Sequence, residues 1–321
     1  MNRDLVRILK LILPIALGVF LVWYSYVITS EEDRKQILRY IKEADFFWVG
    51  ISIFIGMLSH VSRAVRWNYL LEPLGYKPKI RNNVLIILMA YLTNLGIPRS
   101  GEILRATALA TYEDVPFEKG FGTIVTERIV DLLMLMLIIS IALIAQTDII
   151  LEFLDKKGIG LTGTLLIAVA GIFGLGLFLM LLKRSNSRLA VKLKEFVKGL
   201  LDGLLSVFRM KRKLSFLFHT FFIWGAYVAM FWAIKYTVTE TATLDLGQLL
   251  VAFIAGAFAI TTTNGGIGLY PIAVSKSLEI FGVSPVSGDA FGWIMWISQT
   301  LMVVVFGAIS FLILPLWNRN P

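Results

Sequence analysis

The sequence predicts an all-α, polytopic membrane protein with six full transmembrane helices and two re-entrant helical hairpins, arranged as two inverted-topology repeats. Three observations favour this fold class. Hydrophobic residues make up 57% of the 321 residues and charged residues only 17%, and the mean hydropathy is +0.76. Uncharged runs close to the roughly 20 residues that cross hydrocarbon recur along the chain. Two of these runs contain glycine and proline breaks that disfavour a straight helix.

The apolar runs define the elements in chain order. A soluble domain of this length lacks the polar surface to cover so many apolar side chains, so we expect them to face lipid. Seven runs carry no charge: 11–28, 46–62, 82–98, 158–182, 214–234, 246–275 and 290–318. An eighth run, 121–145, reaches spanning length only if it includes Glu127, Arg128 and Asp131.

The charges of the loops predict the orientation. Residues 183–213 carry ten Lys or Arg against two acids, and residues 63–81 carry five against one. Such loops are typical of the cytoplasmic side, whereas the acidic segments 29–45 and 236–247 belong on the other. We therefore expect a multi-pass protein of the cell membrane with both termini in the cytoplasm. The net charge of +9 then needs no nucleic-acid partner.

This orientation requires the run 82–98 to return to the side from which it came. A full crossing would place the basic residues 183–213 on the outer side. The run stops at residues 96–98, and a second short helix is predicted over 101–111 with Ser100 as its N-cap. Two half-helices meeting at membrane depth would make the first re-entrant hairpin.

The run 246–275 is interrupted in the same way, at residues 264–268 and at Pro271. Residues 1–145 then form the series helix, helix, hairpin, helix, and residues 158–316 repeat it from the opposite side of the membrane. Such opposed order is the pattern of an inverted-topology repeat.

The repeats would together form one membrane domain over residues 1–321. Amphipathic spacing between the first two helices of each repeat predicts interfacial helices over residues 30–44 and 189–208. The alternative topology is eight full crossings, because residue identity between the two halves is slight.

The first hairpin carries ionisable residues at membrane depth, where each costs several kcal/mol unless it is paired or hydrated. Arg99 lies in the break, and Gly101, Glu102 and Arg105 open the second half-helix. A guanidinium beside the amide groups of a helix N-terminus suits an anionic head group such as a phosphate. The structural alternative is that Glu102 and Arg105, three positions apart, neutralise each other.

A second group opens the next spanning helix and consists of Glu127, Arg128 and Asp131, with the two acids on one face. Its surplus negative charge is expected to meet Arg99 or Arg105 across the hairpin. The alternative is an ordinary ion cluster whose side chains extend to the membrane interface.

A third group, Arg63 and Arg66 with Trp67, lies at the predicted cytoplasmic end of the second helix. Contact with lipid head groups is one interpretation. The other is that positive charge and an aromatic belt are expected at this depth in any case.

The break in the second hairpin carries no charge. Asn264, Gly265 and Gly266 offer backbone groups and allow a substrate or a helix to approach closely. The glycines serve helix packing equally well.

Metal, redox and nucleotide chemistry are not expected. The chain has no cysteine, and its two histidines, His60 and His219, lie in different apolar runs without metal-ligand spacing. No phosphate-binding loop of the Gly-x-x-x-x-Gly-Lys-Ser/Thr kind is present. We therefore predict no cofactor.

Three spaced motifs carry a family resemblance: Arg63-x-x-Arg66-Trp67, Arg99 within Pro98-x-x-Gly101-Glu102-x-x-Arg105, and Glu127-Arg128-x-x-Asp131. Over nearly the whole chain they resemble the lysylphosphatidylglycerol synthase transmembrane, or flippase-like, family. The resemblance implies movement of lipids or lipid-linked head groups between leaflets. Pro271 stands where the family's second hairpin usually has a glutamate, so a less polar second half is expected. No soluble aminoacyl-transfer domain is expected, and synthase activity is not carried over.

The first functional hypothesis is a translocator of an anionic phospholipid or lipid-linked head group. Arg99 and Arg105 would hold the head group, while Glu127 and Asp131 would orient the arginines or relay protons. An enzyme acting on a lipid head group, with Glu102, Glu127 or Asp131 as general acid or base, is the alternative. A non-transporting scaffold for envelope synthesis is a third. The expected partners are the anionic substrate and the surrounding lipids, and the oligomeric state stays open.

Overall fold

The computed structural model describes residues 3–149 and 210–318, together with isolated positions between these ranges. All regular secondary structure in the described chain is helical. The chain divides into two compact units, of which one comprises Met1–Arg128 and Lys211–Pro321 and the other Ile129–Met210.

Some predictions fall outside the described residues. These are the spanning run 158–182, the interfacial helix over 189–208 and most of the basic loop 183–213. The division into repeats at 1–145 and 158–316 therefore stays a prediction.

The described part of the chain contains ten α-helices: α1 (Arg3–Ile28), α2 (Glu31–Lys42), α3 (Phe46–Leu71), α4 (Ile80–Gly96), α5 (Ser100–Glu113), α6 (Phe117–Ala145), α7 (Lys213–Ile234), α8 (Leu246–Thr262), α9 (Leu269–Glu279) and α10 (Pro285–Trp317). Four segments, which contain α3, α6, α7 and α10, are long and apolar enough to cross a membrane. Shorter apolar helical segments cover Ala16–Ile28 and Leu246–Thr262. The prediction of an all-helical, multi-pass membrane protein is confirmed at this level.

Side-chain caps explain where several helices begin. The Ser30 hydroxyl caps α2, and the Asp45 carboxylate caps α3. At the start of α8, Asp245 and Gln248 form a reciprocal capping box, and Ser284 caps α10. Each cap satisfies an amide that has no partner inside its helix, and thereby separates one apolar run from the segment before it.

Helix α3 is longer than the sequence predicted. The run without charge ends at Ser62, but the helix continues to Leu71 and closes through a short 3-10 turn and the left-handed Gly75, at φ 90°. The segment 63–71 is therefore helix and not loop. Arginine, alanine and leucine have high helix propensities, so a charged residue alone does not end the helix.

The first interrupted run forms a pair of helices, α4 and α5, that pack against each other. Ile97 leaves the helical conformation after α4, and Arg99 takes a left-handed one, at φ 60°, before α5 begins. A Cβ added to Gly101 would meet the carbonyl of Ala90 on α4. The predicted break and the second short helix are thus confirmed.

The predicted cap of this second helix is wrong. Ser100 is the first residue of α5 and its side chain caps no amide. Its hydroxyl instead donates to the carbonyls of Ile97, at 2.7 Å, and Thr93, at 3.1 Å. The reason is the tightness of the break, which turns the serine back towards the carbonyls that end α4.

The second interrupted run forms the helices α8 and α9, also packed against each other. A Cβ on Gly256 of α8 would lie 2.7 Å from the ring of Tyr270 on α9. Between the two helices, Gly265, Gly266 and Gly268 have positive φ angles of 58°, 78° and 71°. Residues other than glycine rarely adopt this conformation, so the predicted break at 264–268 is confirmed and its glycines are explained. The predicted interruption at Pro271 is wrong, because this proline lies in the first turn of α9, where a proline is tolerated.

Helix α10 packs closely on several others through small residues. A Cβ added to Gly292 would lie 2.8 Å from the backbone of Pro271 on α9, and one on Gly307 would lie 2.9 Å from the Leu88 carbonyl on α4. Gly56 of α3 lies against Gln299 of α10. Small residues that let backbones approach are the usual means by which apolar helices associate in lipid.

Hydrogen bonds at the helix ends place the two pairs at opposite ends of α10. Asn82, in the first turn of α4, donates to Glu113 at the end of α5, and it exchanges hydrogen bonds of 2.9 and 3.2 Å with Asn318, just after α10. At the other end, Glu240, shortly before α8, accepts from Ser284 at the start of α10. The chain therefore enters and leaves the α4–α5 pair at one level.

The contact between Glu240 and Ser284 predicts a pH-dependent contribution to stability. The carboxylate accepts from the Ser284 amide at 2.8 Å and from its hydroxyl at 3.0 Å. These hydrogen bonds hold the pKa of Glu240 below its ordinary value. A carboxyl group with a lowered folded-state pKa stabilises the fold above its unfolded pKa, and this contribution is lost as the pH falls through the folded pKa.

We therefore expect Glu240→Gln to lower the melting temperature at neutral pH, and the difference from wild type to shrink as the pH falls below the ordinary glutamate pKa of about 4.3. Melting curves of the purified protein between pH 7 and pH 3.5 measure it. Glu31→Gln, at an exposed ion pair with Lys35, is the control. A difference that stays constant over this range would contradict the assignment.

Candidate functional site

The most unusual feature of the larger unit is a buried carboxylate among three arginines. Glu127 of α6 has no solvent exposure. It accepts from Arg63, from both terminal nitrogens of Arg105, at 2.9 and 3.2 Å, and it lies 3.4 Å from Arg66. We call these four residues the Glu127 cluster. Because α3, α5 and α6 each contribute to it, the cluster ties the first broken pair to two of the long apolar helices.

Arg105 is held by an aromatic ring as well as by charge. Its guanidinium lies 4.2 Å from the centre of the Trp67 ring, and the Trp67 indole donates to Thr123 of α6 at 2.9 Å. Charge-assisted two-point hydrogen bonding and stacking on an aromatic face are the interactions that arginine makes best. The orientation of Arg105 is therefore fixed.

Helix α7 supplies polar partners that sequence reasoning missed. Arg63 donates to Tyr227 at 3.1 Å and Arg66 donates to Thr220 at 3.2 Å. Thr220 and Tyr227 are seven positions apart, so they lie two turns apart on one face of a largely apolar helix. That spacing was a signal available in the sequence.

A serine and a histidine also meet beside this face. The Ser62 hydroxyl lies 2.7 Å from Nδ1 of His219, and the ring of His219 packs near Tyr69. The two residues are 157 positions apart in the chain, and no sequence spacing links them.

The interpretation of Arg63 and Arg66 as charges at a cytoplasmic helix end is wrong. Both lie inside α3 and are almost fully buried, with 2% and 0% of their surface exposed, as is Trp67 at 0%. The physical reason is that the α3 helix continues past them and turns them towards Glu127. Positive-inside topology therefore does not account for them.

The alternative pairing of Glu102 with Arg105 is also wrong. Arg105 binds Glu127, whereas Glu102 lies 3.0 Å from Arg128. The two neighbouring pairs differ in environment, since the Arg128 side chain is 43% exposed and Arg105 is 2% exposed. The expectation that acids of the second group meet Arg105 across the hairpin is confirmed for Glu127.

The tip of the first pair presents an exposed cation. Arg99 is exposed and has the left-handed backbone that is uncommon for residues other than glycine. The start of α5 beside it is partly occupied by the protein itself, because Asn94 accepts the Gly101 amide at 2.8 Å and Ile97 accepts the Ser100 amide at 3.2 Å. Fewer amide groups are thus available to an anion than the sequence suggested.

The remaining predicted residues are Asp131 and those of the second pair. Asp131 is buried, at 9% exposure, one turn beyond Glu127 on α6, and belongs to the smaller unit. In the second pair, Asn264 donates to the Gly96 carbonyl, Gly265 lies against Leu95, and a Cβ on Gly266 would meet Tyr270. Asn264, Gly265 and Gly266 therefore all contact other residues of the protein.

A groove of about 230 Å³ opens near the C-terminal end of α3. It is lined by Val65, Asn68, Tyr69, Glu72, Tyr76, Lys77, Ile80 and Arg212. Arg212 lies 3.6 Å from Glu72. The volume is below that of pockets for drug-sized ligands, and suits a small polar group better than a whole lipid. Among the described residues, no group of three His, Cys, Asp or Glu side chains is placed to hold a metal ion.

The chain has relatives among known proteins. A UPF0104 membrane protein, PH1989, of Pyrococcus horikoshii is 24% identical over 304 residues, covering 86% of this chain and 88% of the relative. UPF0104 membrane protein MJ1595 of Methanocaldococcus jannaschii is 28% identical over 99 residues, or 30% of each chain. Glycosyltransferase AglD of Haloferax volcanii is 28% identical over 102 residues, or 32% of this chain and 16% of the relative.

The alignments with MJ1595 and AglD thus span less than a third of either relative. No solved structure gives a significant match to the chain. The model of one family, the lysylphosphatidylglycerol synthase TM region, matches residues 11–307. This range includes every residue of the Glu127 cluster and both broken helix pairs, so the chain belongs to the lysylphosphatidylglycerol synthase transmembrane-region family.

Proposed function

We propose that the protein translocates an anionic phospholipid or lipid-linked head group between the leaflets of the cell membrane. The observation that carries the proposal is the Glu127 cluster, which gathers three guanidinium groups around one carboxylate inside an apolar helical protein. Ionisable groups at such positions are costly, and in membrane proteins they mark substrate or ion pathways by default.

The exposed tip and the buried cluster have different roles in this proposal. Arg99 at the exposed tip contacts the anionic head group first. The Glu127 cluster keeps Arg105, and with it α5, in place through contacts to α3 and α6. Glu102 lies between Arg99 and Arg105 in the sequence and forms a partly exposed pair with Arg128 of α6. This pair opens when a head group competes for Arg128.

The proposed membrane topology has six full crossings and two re-entrant pairs, α4–α5 and α8–α9, with both termini in the cytoplasm. Two contacts at opposite ends of α10 support this arrangement: Asn82 of α4 bonds to Asn318 just after α10, and Glu240 shortly before α8 bonds to Ser284 at its start. The return of α5 to the level at which α4 begins also supports it. Opposed broken helices that meet near the midplane are the usual site around which two repeats rock.

Cysteine labelling tests this topology in a chain that has no natural cysteine. Lys77→Cys and Glu118→Cys place one thiol before α4 and one after α5, at two exposed positions. A re-entrant pair predicts that both thiols react with an impermeant maleimide from the same side of the membrane. Labelling from opposite sides would show that the segment crosses the membrane and would contradict the six-plus-two topology.

Transport is tested with the protein reconstituted into vesicles that contain a fluorescent phosphatidylglycerol. We expect Arg99→Ala to slow the exchange between leaflets at least about tenfold, because one charge-assisted contact with a phosphate contributes about 1.5–3 kcal/mol. Arg99→Lys should retain part of the rate. The matched control is Arg39→Ala, which removes an exposed arginine paired with Glu43 on α2.

Equal rates for wild type and Arg99→Ala would exclude the tip as the site of head-group contact. Absence of exchange in all variants, for phosphatidylglycerol and for a lipid-linked pyrophosphate alike, would remove the translocator proposal altogether.

A second candidate function is a membrane-embedded enzyme that acts on a lipid head group. The observation in its favour is the Ser62 hydroxyl at 2.7 Å from His219, because a hydroxyl beside a base is the arrangement that activates a nucleophile. One relative carries the name of a glycosyltransferase. Mass spectrometry of lipids incubated with wild type and with Ser62→Ala separates the two functions, since a translocator leaves the mass of the lipid unchanged.

A further inference from the structure

The tips of the two broken pairs meet inside the larger unit. The Asn264 side chain donates through Nδ2 to the carbonyl of Gly96, at 3.3 Å. Leu95 lies against Gly265, and the indole of Trp296 on α10 donates to the Gly265 carbonyl at 2.8 Å. The turn of the second pair is thus held between the end of α4 and α10. We call this contact the tip junction.

One acceptor at the tip junction lacks a donor. Asn264 is 3% exposed, and its Oδ1 atom accepts no hydrogen bond. The amide cannot simply be reversed, because the Gly96 carbonyl is an acceptor and requires Nδ2 on its side. A buried acceptor without a hydrogen-bond donor destabilises the fold unless a cation or a donor binds to it.

The segments that meet at the tip junction offer further oxygen atoms at two helix ends. Helix α4 ends at Gly96 and helix α8 at Thr262, so the negative ends of two helix dipoles lie beside the junction. Near these ends the hydroxyl of Thr93, which is partly buried, donates back to Ala90 at 2.9 Å, and the buried hydroxyl of Thr263 donates back to Ala259 at 3.5 Å. Their lone pairs are thereby left for an electropositive partner.

We propose that the tip junction binds a sodium ion. Hard cations prefer carbonyl, amide and hydroxyl oxygens, and these are the groups present. Residues 93–98 and 260–268 contain no acidic side chain, whereas protein sites for calcium and magnesium use carboxylates. Neutral oxygens at the C-terminal ends of discontinuous helices are the arrangement that holds sodium in coupled transporters.

The sodium site goes beyond the proposed transport of lipid and does not depend on it. If both hold, binding of the ion would tie the two helix pairs together, and the sodium gradient would supply energy for movement of the tips. The experiment therefore measures binding and not transport, so that each proposal can fail alone.

The test is the melting temperature of the purified protein in detergent at constant ionic strength, with choline chloride replaced stepwise by sodium chloride. A ligand that binds only the folded protein raises the melting temperature in a saturable way. We expect this rise for wild type with sodium, a smaller one with potassium, and none with either for Asn264→Ala. Asn83→Ala, which removes another buried amide from α4, is the control and should retain the response to sodium.

A variant that adds charge keeps the test decisive if Asn264→Ala does not fold. Asn264→Asp places a carboxylate in the site and should lower the sodium concentration at half-effect by about fivefold or more. Wild-type melting that does not distinguish sodium from choline would overturn the proposal, as would a sodium response that is unchanged in both Asn264 variants. The change in tryptophan fluorescence on addition of sodium, compared between wild type and Trp296→Phe, reports ion binding at the junction independently of stability.

Discussion

Replacing Glu127 by glutamine is expected to lower the free energy of unfolding by about 3–5 kcal/mol, because it leaves buried guanidinium groups without their common carboxylate. Arg63, Arg66 and Arg105 are at most 2% exposed, so water cannot replace the lost charge. For a chain of this size the loss corresponds to a fall in melting temperature of roughly 6–20 °C. Thermal unfolding of the purified protein, followed by tryptophan fluorescence, measures it.

The matched control is Glu102→Gln, which breaks the partly exposed ion pair with Arg128. Such pairs contribute only about 0–1 kcal/mol, so the control should melt close to wild type. Glu127→Asp retains the charge with a shorter reach and should fall between the two. A melting temperature of Glu127→Gln within about 2 °C of wild type would correspond to a loss of about 1 kcal/mol or less. That result would show that the cluster does not hold the fold together.

Enlarging Gly101 is expected to separate the first helix pair. An added Cβ would meet the Ala90 carbonyl and lie 2.8 Å from the Asn94 side chain, which also accepts the Gly101 amide. Valine brings two further carbon atoms into this contact, so we expect Gly101→Val to destabilise the protein by about 1–3 kcal/mol. The neighbouring Arg105 would be drawn away from Glu127, and transport should fall with stability.

Gly96→Ala provides a control in the same helix pair. No atom lies within 4 Å of a Cβ at this position, and its backbone does not have a positive φ. The substitution should leave the melting temperature unchanged or raise it slightly, because alanine restricts the unfolded chain. Wild-type stability of Gly101→Val would mean that the helices of the pair do not pack as closely as described.

The breaks in the helix pairs could be predicted because their cause is local. Glycine and proline within a few residues of each other disfavour a continuous helix, so the interruptions near Gly96 and Gly265 were visible in the sequence. The beginning of α5 was predicted to within one residue, yet its cap was not. Whether Ser100 faces the amides of its own helix or the carbonyls of α4 depends on the turn made by Arg99.

The charged site was predicted in part. The surplus acid near Glu127 indicated a partner on the hairpin, and Arg105 is that partner. The alternative pairing of Glu102 with Arg105 rested on a spacing that both residues satisfy, but each binds a residue of α6 instead. Spacing along one helix shows which side chains can meet, and not which of several partners lies nearer in space.

Composition, loop charge and glycine-rich breaks by themselves determined that this is a helical membrane protein with two interrupted helix pairs, because each is a property of short segments. Only the tertiary structure decided that Arg63 and Arg66 are buried rather than interfacial, and that Asn264 meets Gly96. These outcomes depend on how helices far apart in the chain rotate and pack. A buried charge is tolerated only where that packing brings its counter-charge.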